Sequence, residues 1–265
     1  VIRFCLLGSG SRGNAILIDS GATKVLIDNG FSFKEAERRA GMVGESLRDI
    51  QAVFVTHEHG DHVRGVGTLA RRLSVPVYMT SETGAALPQS VGVIPRVERF
   101  EAGDAISLDG LTLTSFSVSH DAADPVGFVV EANGARLGIA TDLGHAPGLV
   151  RTRLAGSQAL VLESNHCPEM LRLGPYSPEL QQRIRSRHGH LSNDAMNALL
   201  GSLIHEGLDL VVLAHISQEN NTPERARSWA ERVLQGHQTQ LVVAGQDAPT
   251  PLFVVRGGAP EEIGG

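Results

Sequence analysis

The sequence predicts an α/β (α+β) chain in which two β-sheets pack against each other and helices cover the outside. Three observations carry that expectation. Short apolar or alternating runs joined by Gly-rich turns crowd the first half. Helical and strand-like patterns alternate in the second half. No linker, repeat or shift in composition divides the 265 residues, so residues 1–265 are expected to form a single domain.

The elements follow in order. Val1–Leu7, Ala15–Asp19 and Lys24–Asp28 are apolar or alternating runs, separated by the turn chemistry of Gly8–Asn14 and Ser20–Ala22. Ala52–Thr56 reads as a buried strand, and His62, Val66, Leu69, Ala70 and Leu73 then fall at helical spacing. Val75–Met79 is a further strand. Ala105–Leu108, Leu111–Val118, Val126–Glu131 and Arg136–Ala140 are antiparallel candidates, with Asp109-Gly110 and Asn133-Gly134 marking tight hairpins. Ala159–Glu163 and Leu208–Ala214 are buried strands. Between them Met196, Leu199, Leu200, Leu203 and Ile204 share a helical face, started by Ser192 or Asn193 and ended by Gly207. A last helix starts at Thr222-Pro223 and buries Ala226, Trp229, Ala230, Val233 and Leu234. Leu241–Ala244 and Leu252–Val255 close the sheets.

Composition excludes several classes. Hydrophobic content of 42% and charged content of 20% are those of a globular chain. No apolar run reaches the ~18–20 residues that cross a bilayer, so no membrane partner is expected. The start reads as a first strand and lacks the basic flank and cleavage site of a signal peptide. Cys5 and Cys167 give no disulfide framework, which fits a cytoplasmic protein. A net charge of −6 argues against nonspecific coating of nucleic acid, although bound metals and local arginines can offset it at a site.

The most informative segment is Thr56-His57-Glu58-His59-Gly60-Asp61-His62. In extended chain His57 and His59 project to the same side. Asp61 and His62 sit where the chain turns into a helix, in position to serve a second ion. The spacing is not H-E-x-x-H, so a helical zinc-protease site is excluded. Imidazole with carboxylate suits Zn, and also Fe or Mn. The competing reading is a solvated loop that happens to be rich in histidine. Against it, His120, Asp142 and His215 each stand at the end of a predicted strand, the way a rigid sheet builds a site.

These residues together resemble the metallo-β-lactamase-fold hydrolases. The resemblance implies a four-layer αββα sandwich with two divalent ions, Zn first among the candidates. It implies that His57, His59 and His120 hold one ion, that Asp61, His62 and His215 hold the other, and that Asp142 bridges them. Aspartate at the bridging position is similar to the branches that do not act on β-lactams. Two ions ~3.5–4 Å apart can share a hydroxide as nucleophile at neutral pH. Asp61 and His190 are the residues expected to carry catalysis.

Such chemistry serves phosphodiesters, thioesters and lactones alike, so the substrate must be read from elsewhere. Gly8–Asn14 offers backbone N–H groups, Ser9, Ser11, Asn14 and Arg12 to phosphate oxygens, or is a plain turn. Gly189-His190-Leu191-Ser192 places an imidazole and a hydroxyl at a helix start, a surface for an anion. There His190 is either a proton donor to a leaving oxygen or a histidine of no catalytic consequence. Arg183, Arg185 and Arg187 contact a phosphate backbone or form a solvated helix face. His166, beside Glu163, is a substrate contact, a donor behind the ligands, an extra ligand or a structural histidine. His145 is placed near the mouth, His188, His205 and His237 on the surface, and Cys5 in the core.

Five segments resemble the YycJ/WalJ/VicX-like group, which is related to the tRNA 3′-processing nucleases. They are Leu6–Ala15, Glu163-Ser164-Asn165-His166, Gly174-Pro175-Tyr176, Gly189–Asn193 and His215–Glu224. The resemblance implies a nuclease, with 5′→3′ DNA exonuclease activity among its possibilities and DNA as the partner. Cys167 stands where that group commonly has Asp. A thioester or lactone hydrolase on the same scaffold is the alternative.

Overall fold

The computed structural model describes residues 1–257; residues 258–265 of the expected domain lie outside the described residues. Among the described residues fourteen strands run β1 (Ile2–Gly8), β2 (Ala15–Asp19), β3 (Lys24–Ile27), β4 (Ala52–Phe54), β5 (Val77–Met79), β6 (Val97–Arg99), β7 (Ala105–Leu108), β8 (Leu111–Ser117), β9 (Val126–Ala132), β10 (Ala135–Ala140), β11 (Ala159–Glu163), β12 (Leu210–Ala214), β13 (Gln240–Val243) and β14 (Phe253–Val255). The helices are α1 (Phe33–Met42), α2 (Gly60–Val63), α3 (Val66–Leu73), α4 (Ser81–Ala86), α5 (Gly148–Leu154), α6 (Pro168–Leu173), α7 (Pro178–Arg185), α8 (Asn193–Gly201) and α9 (Pro223–Val233).

The strands form two seven-stranded sheets, ordered β14-β1-β2-β3-β4-β5-β6 and β13-β12-β11-β10-β9-β8-β7. Their facing sides share one apolar core, in which Phe54 of the first sheet meets Phe128 of the second edge-on at 5.8 Å. A second core joins the first sheet to α1 and α3, and a third joins the second sheet to α5, α8 and α9. The layers therefore run helix, sheet, sheet, helix, the expected αββα sandwich. Among the described residues no helix is long and apolar enough to cross a membrane.

β3 to β6 are mutually parallel, as are β10 to β13. The C-terminal ends of β3 and β4 in one sheet, and of β10, β11 and β12 in the other, therefore lie along one rim. That is where an open α/β sheet places its ligand. The expected hairpins are present: Asp109-Gly110 and Asn133-Gly134 have positive φ at all four positions (36°, 81°, 50° and 76°), as a type I′ turn needs.

Strands β4, β5 and β12 are each two residues shorter than expected, and two helices differ from expectation. The helical run from His62 to Leu73 is two helices, because Gly65 breaks it where the chain presses on the 29–31 loop. A Cβ on Gly65 would lie 1.7 Å from the Phe31 carbonyl oxygen. Helix α8 ends at Gly201 rather than Gly207, and Leu203 and Ile204 pack beyond its last turn. Within α9, Ala226 and Ala230 are buried while Trp229 and Val233 are half-buried. His205, expected on the surface, is half-buried and its Nε2 lies 3.1 Å from the Ser157 carbonyl oxygen.

Candidate metal centre

The seven residues singled out by spacing converge on the rim between the sheets. His57, His59 and His120 bring one ligand atom each within 4.8 Å of one another, and so do Asp61, His62 and His215. Asp142 joins His57 and His62 in a further set at the same limit, so it stands between the two groups. His57 follows β4, His120 follows β8, Asp142 follows β10 and His215 follows β12.

The imidazoles are oriented from behind. Thr56 donates its hydroxyl to Asp28 Oδ2 at 2.8 Å, so its oxygen is left to accept from His57 Nδ1 at 2.9 Å. Asp28 Oδ2 also accepts from His62 Nδ1 at 2.8 Å. His120 Nδ1 donates to the Gly189 carbonyl at 2.9 Å, and His215 Nδ1 to Glu163 Oε1 at 3.0 Å. All four rings thus carry a proton on Nδ1, which turns Nε2 toward the cluster. His57 Nε2, His215 Nε2 and Asp142 Oδ2 are fully buried with no hydrogen-bond partner. Buried lone pairs without donors cost free energy unless a cation satisfies them, so the donor set fits divalent metal.

The charges point the same way. Burial first, and then His62, hold His57 well below the ordinary histidine range, so the ring is the neutral, ligating form. Burial lowers His120 likewise. Burial alone would raise Asp142, but the charges of His215 and His62 hold it well below the usual carboxylate range. Reciprocally, burial opposes protonation of His62 and His215, yet Asp142 holds both well above the ordinary value. A divalent cation can serve this carboxylate in place of those protons.

Backbone strain marks the same positions. Asp28, Asp142 and His215 have φ of 58°, 56° and 54°. This left-handed region is tolerated by Asp and His better than by most residues. Asp61 is clamped by its neighbours. Its carbonyl accepts from Asn14 N at 2.8 Å, Asn14 Nδ2 reaches its Oδ2 at 3.1 Å, and a Cβ on Gly30 would lie 1.8 Å from its carbonyl oxygen.

The 163–192 region supplies the neighbouring polar groups. Glu163 is wholly buried. Its Oε1 accepts from His190 Nδ1 at 2.7 Å as well as from His215, and its Oε2 accepts the N–H groups of Leu143 at 2.9 Å and Leu191 at 3.1 Å. Four donors occupy the carboxylate, so it braces the histidines. Burial disfavours charge on His190, but Glu163 outweighs this and raises its pKa. A cavity of about 410 Å³ opens beside the cluster, bordered by His59, His190 and His215 and also by Ser11, Tyr176, Leu180, Arg183, Ile184 and Ile216.

The remaining candidates are distributed differently. Ser11 borders the cavity. Ser9 is buried, and its hydroxyl accepts the backbone N–H of His215 at 2.8 Å. Asn14 is likewise buried against Asp61 and His62. The Ser192 hydroxyl caps α8 by accepting from Ala195 N. His166 is buried with Nδ1 unpartnered, and burial brings its pKa down to about 4. Its neighbour Asn165 borders the cavity instead. None of these four lines the cavity; Ser9 and Asn14 instead hold His215, Asp61 and His62 in place. Arg12 pairs with Asp247, and Arg183 pairs with Asp121. His145 Nδ1 is 3.1 Å from the Arg187 carbonyl oxygen. Cys5 is core. Asp28, Thr56, Gly189, Asn165 and Tyr176 have parts here that spacing alone did not give them. For Asp28 the available signal was a carboxylate at a strand end directly before Asn29-Gly30.

Comparison with known proteins gives the family. A family model described as the beta-lactamase superfamily domain matches residues 23–216. The chain is 35% identical over 236 residues to exodeoxyribonuclease YycJ of Bacillus anthracis, covering 88% of this chain and 89% of the relative. It is 32% identical over 229 residues to exodeoxyribonuclease WalJ of Streptococcus pneumoniae serotype 2, covering 84% and 85%. The fold is similar to the metallo-β-lactamase-fold protein YhfI of Bacillus subtilis, with a TM-score of 0.70 at 15% identity over 94% of this chain and 98% of that one.

Proposed function

The chain belongs to the beta-lactamase superfamily, and from that premise we propose that it is a dinuclear metal-dependent phosphodiesterase, a nuclease that removes nucleotides from DNA ends. The observation that carries this reading is the convergence of seven ligand side chains with three buried, unpartnered ligand atoms. The similarity to two exodeoxyribonucleases over more than four-fifths of the chain supports the choice of substrate.

His57, His59 and His120 would hold one ion, Asp61, His62 and His215 the other, and Asp142 both. When bound, a pair of divalent ions supplies Lewis acidity toward the phosphoryl oxygen and toward an attacking water. The chain's own residues do the rest. Asp28, Thr56, Gly189 and Glu163 fix the imidazoles, which limits reorganisation during the reaction. His190, held through Nδ1 by Glu163, borders the cavity with its other nitrogen free and gives a proton to the leaving oxygen. Zn is the first candidate for both positions, with Mn and Fe next. With DNA as the partner, the protein would work in the cytoplasm.

The test is a substrate panel: labelled duplex DNA, single-stranded DNA, RNA and a thioester, each with Zn and with Mn. Stepwise release of nucleotides from DNA is the expected result, and labelling either end gives the polarity. A metallated enzyme that leaves every nucleic acid intact while hydrolysing the thioester overturns the reading.

A further inference from the structure

We propose that the cavity beside the metal cluster is a subsite for one unpaired nucleobase at a strand end, with Tyr176 as its stacking platform. The proposal rests on the phosphodiesterase reading and adds what determines which residue of the strand is held.

The lining of the cavity is mixed. His190 and His215 border it, and the scissile phosphate belongs beside them. Tyr176 and the aliphatic side chains of Leu180, Ile184 and Ile216 also border it, together with the polar Ser11, Ser217, Gln218 and Glu219. The apolar share of this lining, with its aromatic residue, suits a flat, uncharged group. The guanidinium in this lining, that of Arg183, is already neutralised by Asp121. At about 410 Å³ the space lies in the ~300–1,000 Å³ range of single-ligand sites, enough for one nucleotide.

Tyr176 is built to hold its place. Gly174 packs so closely that a Cβ there would lie 2.5 Å from Asn220 Oδ1, which fixes the turn that carries Pro175 and Tyr176. The Tyr176 carbonyl accepts from Gln181 Nε2 at 3.0 Å, and Ser177 caps α7 immediately after it. Tyr176 is half-buried, and Leu180, which also borders the cavity, is 37% exposed. Exposed apolar side chains beside a catalytic centre have a use when a base covers them.

The experiment compares two oligonucleotides that differ only in whether the terminal nucleotide carries a base or is abasic, cut by metal-loaded enzyme. The wild type should cut the base-bearing strand with kcat/KM about 10- to 100-fold higher, the size of one base–aromatic stack. Tyr176→Ala should bring the ratio to within about 3-fold of unity, and Tyr176→Phe should retain it, because the ring and not the hydroxyl carries the effect. Tyr176→Leu keeps bulk without the ring and reads the same collapse if the alanine variant folds poorly. A wild type that treats both strands alike, or a Tyr176→Leu enzyme that keeps the full ratio, overturns the base subsite and leaves the nuclease reading intact. A wild type that cuts neither strand overturns both.

Discussion

Asp28 Oδ2 lies 2.8 Å from His62 Nδ1, and the opposite oxygen of the same carboxylate accepts the Thr56 N–H at 2.8 Å. One residue at the end of β3 therefore sets both the ring of His62 and the backbone that leads into His57. Asp28→Asn keeps the shape and weakens the acceptor. Loss of such a partner should lower metal affinity about 10- to 100-fold, read as the chelator concentration that strips the protein, with circular dichroism unchanged. Equal metal retention by the variant would contradict this role.

Purified protein should carry about two divalent ions per chain by elemental analysis, on the reading that the two ligand sets are filled together. Dialysis against chelator should abolish cleavage, and Zn or Mn should restore it. Native protein that is fully active without metal would end the scheme.

Asp61→Ala or His62→Ala should lower kcat by at least about 1,000-fold, since each removes a ligand from one set while leaving the other. The far-ultraviolet spectrum should stay native, because both side chains are at the rim and not in the core between the sheets. A variant that loses activity only through unfolding would assign these residues to stability.

Gly30→Ala tests the clamp on Asp61. The new Cβ would sit 1.8 Å from the Asp61 carbonyl oxygen, so backbone must move. Forced displacement of this kind costs about 1–3 kcal/mol and should lower the melting temperature by several degrees. Cleavage should fall further than stability does, because the moved backbone carries a ligand. Wild-type kinetics in the variant would refute the clamp.

Burial first, and then Glu45, push the Cys5 thiol from an ordinary 9.0 up to about 12. The folded protein therefore keeps the proton that the unfolded chain releases. The stability this contributes is complete below pH 9 and is lost as pH rises toward 12, at about 1.4 kcal/mol per pH unit over that interval. Urea midpoints between pH 9 and 11 should fall more steeply for the wild type than for Cys5→Ala. Parallel slopes would show that Cys5 does not set the alkaline limit.

Much of this molecule was readable in the amino-acid order. His57, His59, Asp61 and His62 stand out because metal ligation needs rare residue types at fixed spacing, and His120, Asp142 and His215 because each terminates an apolar run. The hairpins were legible because Asp109-Gly110 and Asn133-Gly134 are among the few pairs that accept two positive φ values. Helix α1 was not, since its buried face is Ala36, Arg39 and Ala40 and carries no apolar stripe. Helix α7 was legible only as one of two readings of Arg183 and Arg185, since it buries no residue. The tasks of Ser9 and Ser192 could not be told from sequence: a hydroxyl that holds a backbone N–H looks the same there as one that holds a phosphate. The bracing by Gly189 comes from a main-chain carbonyl, which no residue type reveals.

The candidate ligands divide between the two sheets, His57 to His62 following β4 of one and His120, Asp142 and His215 following strands of the other. An ion held from both sheets would be a rivet across the seam, since it would bind only while the halves stay docked. Chain stability then becomes a function of the surroundings. Above the dissociation constant, each tenfold rise in free metal adds about 1.4 kcal/mol per bound ion. Starvation for metal would thus loosen the sandwich itself along with silencing its chemistry, and the same shortage would mark the protein for proteolysis.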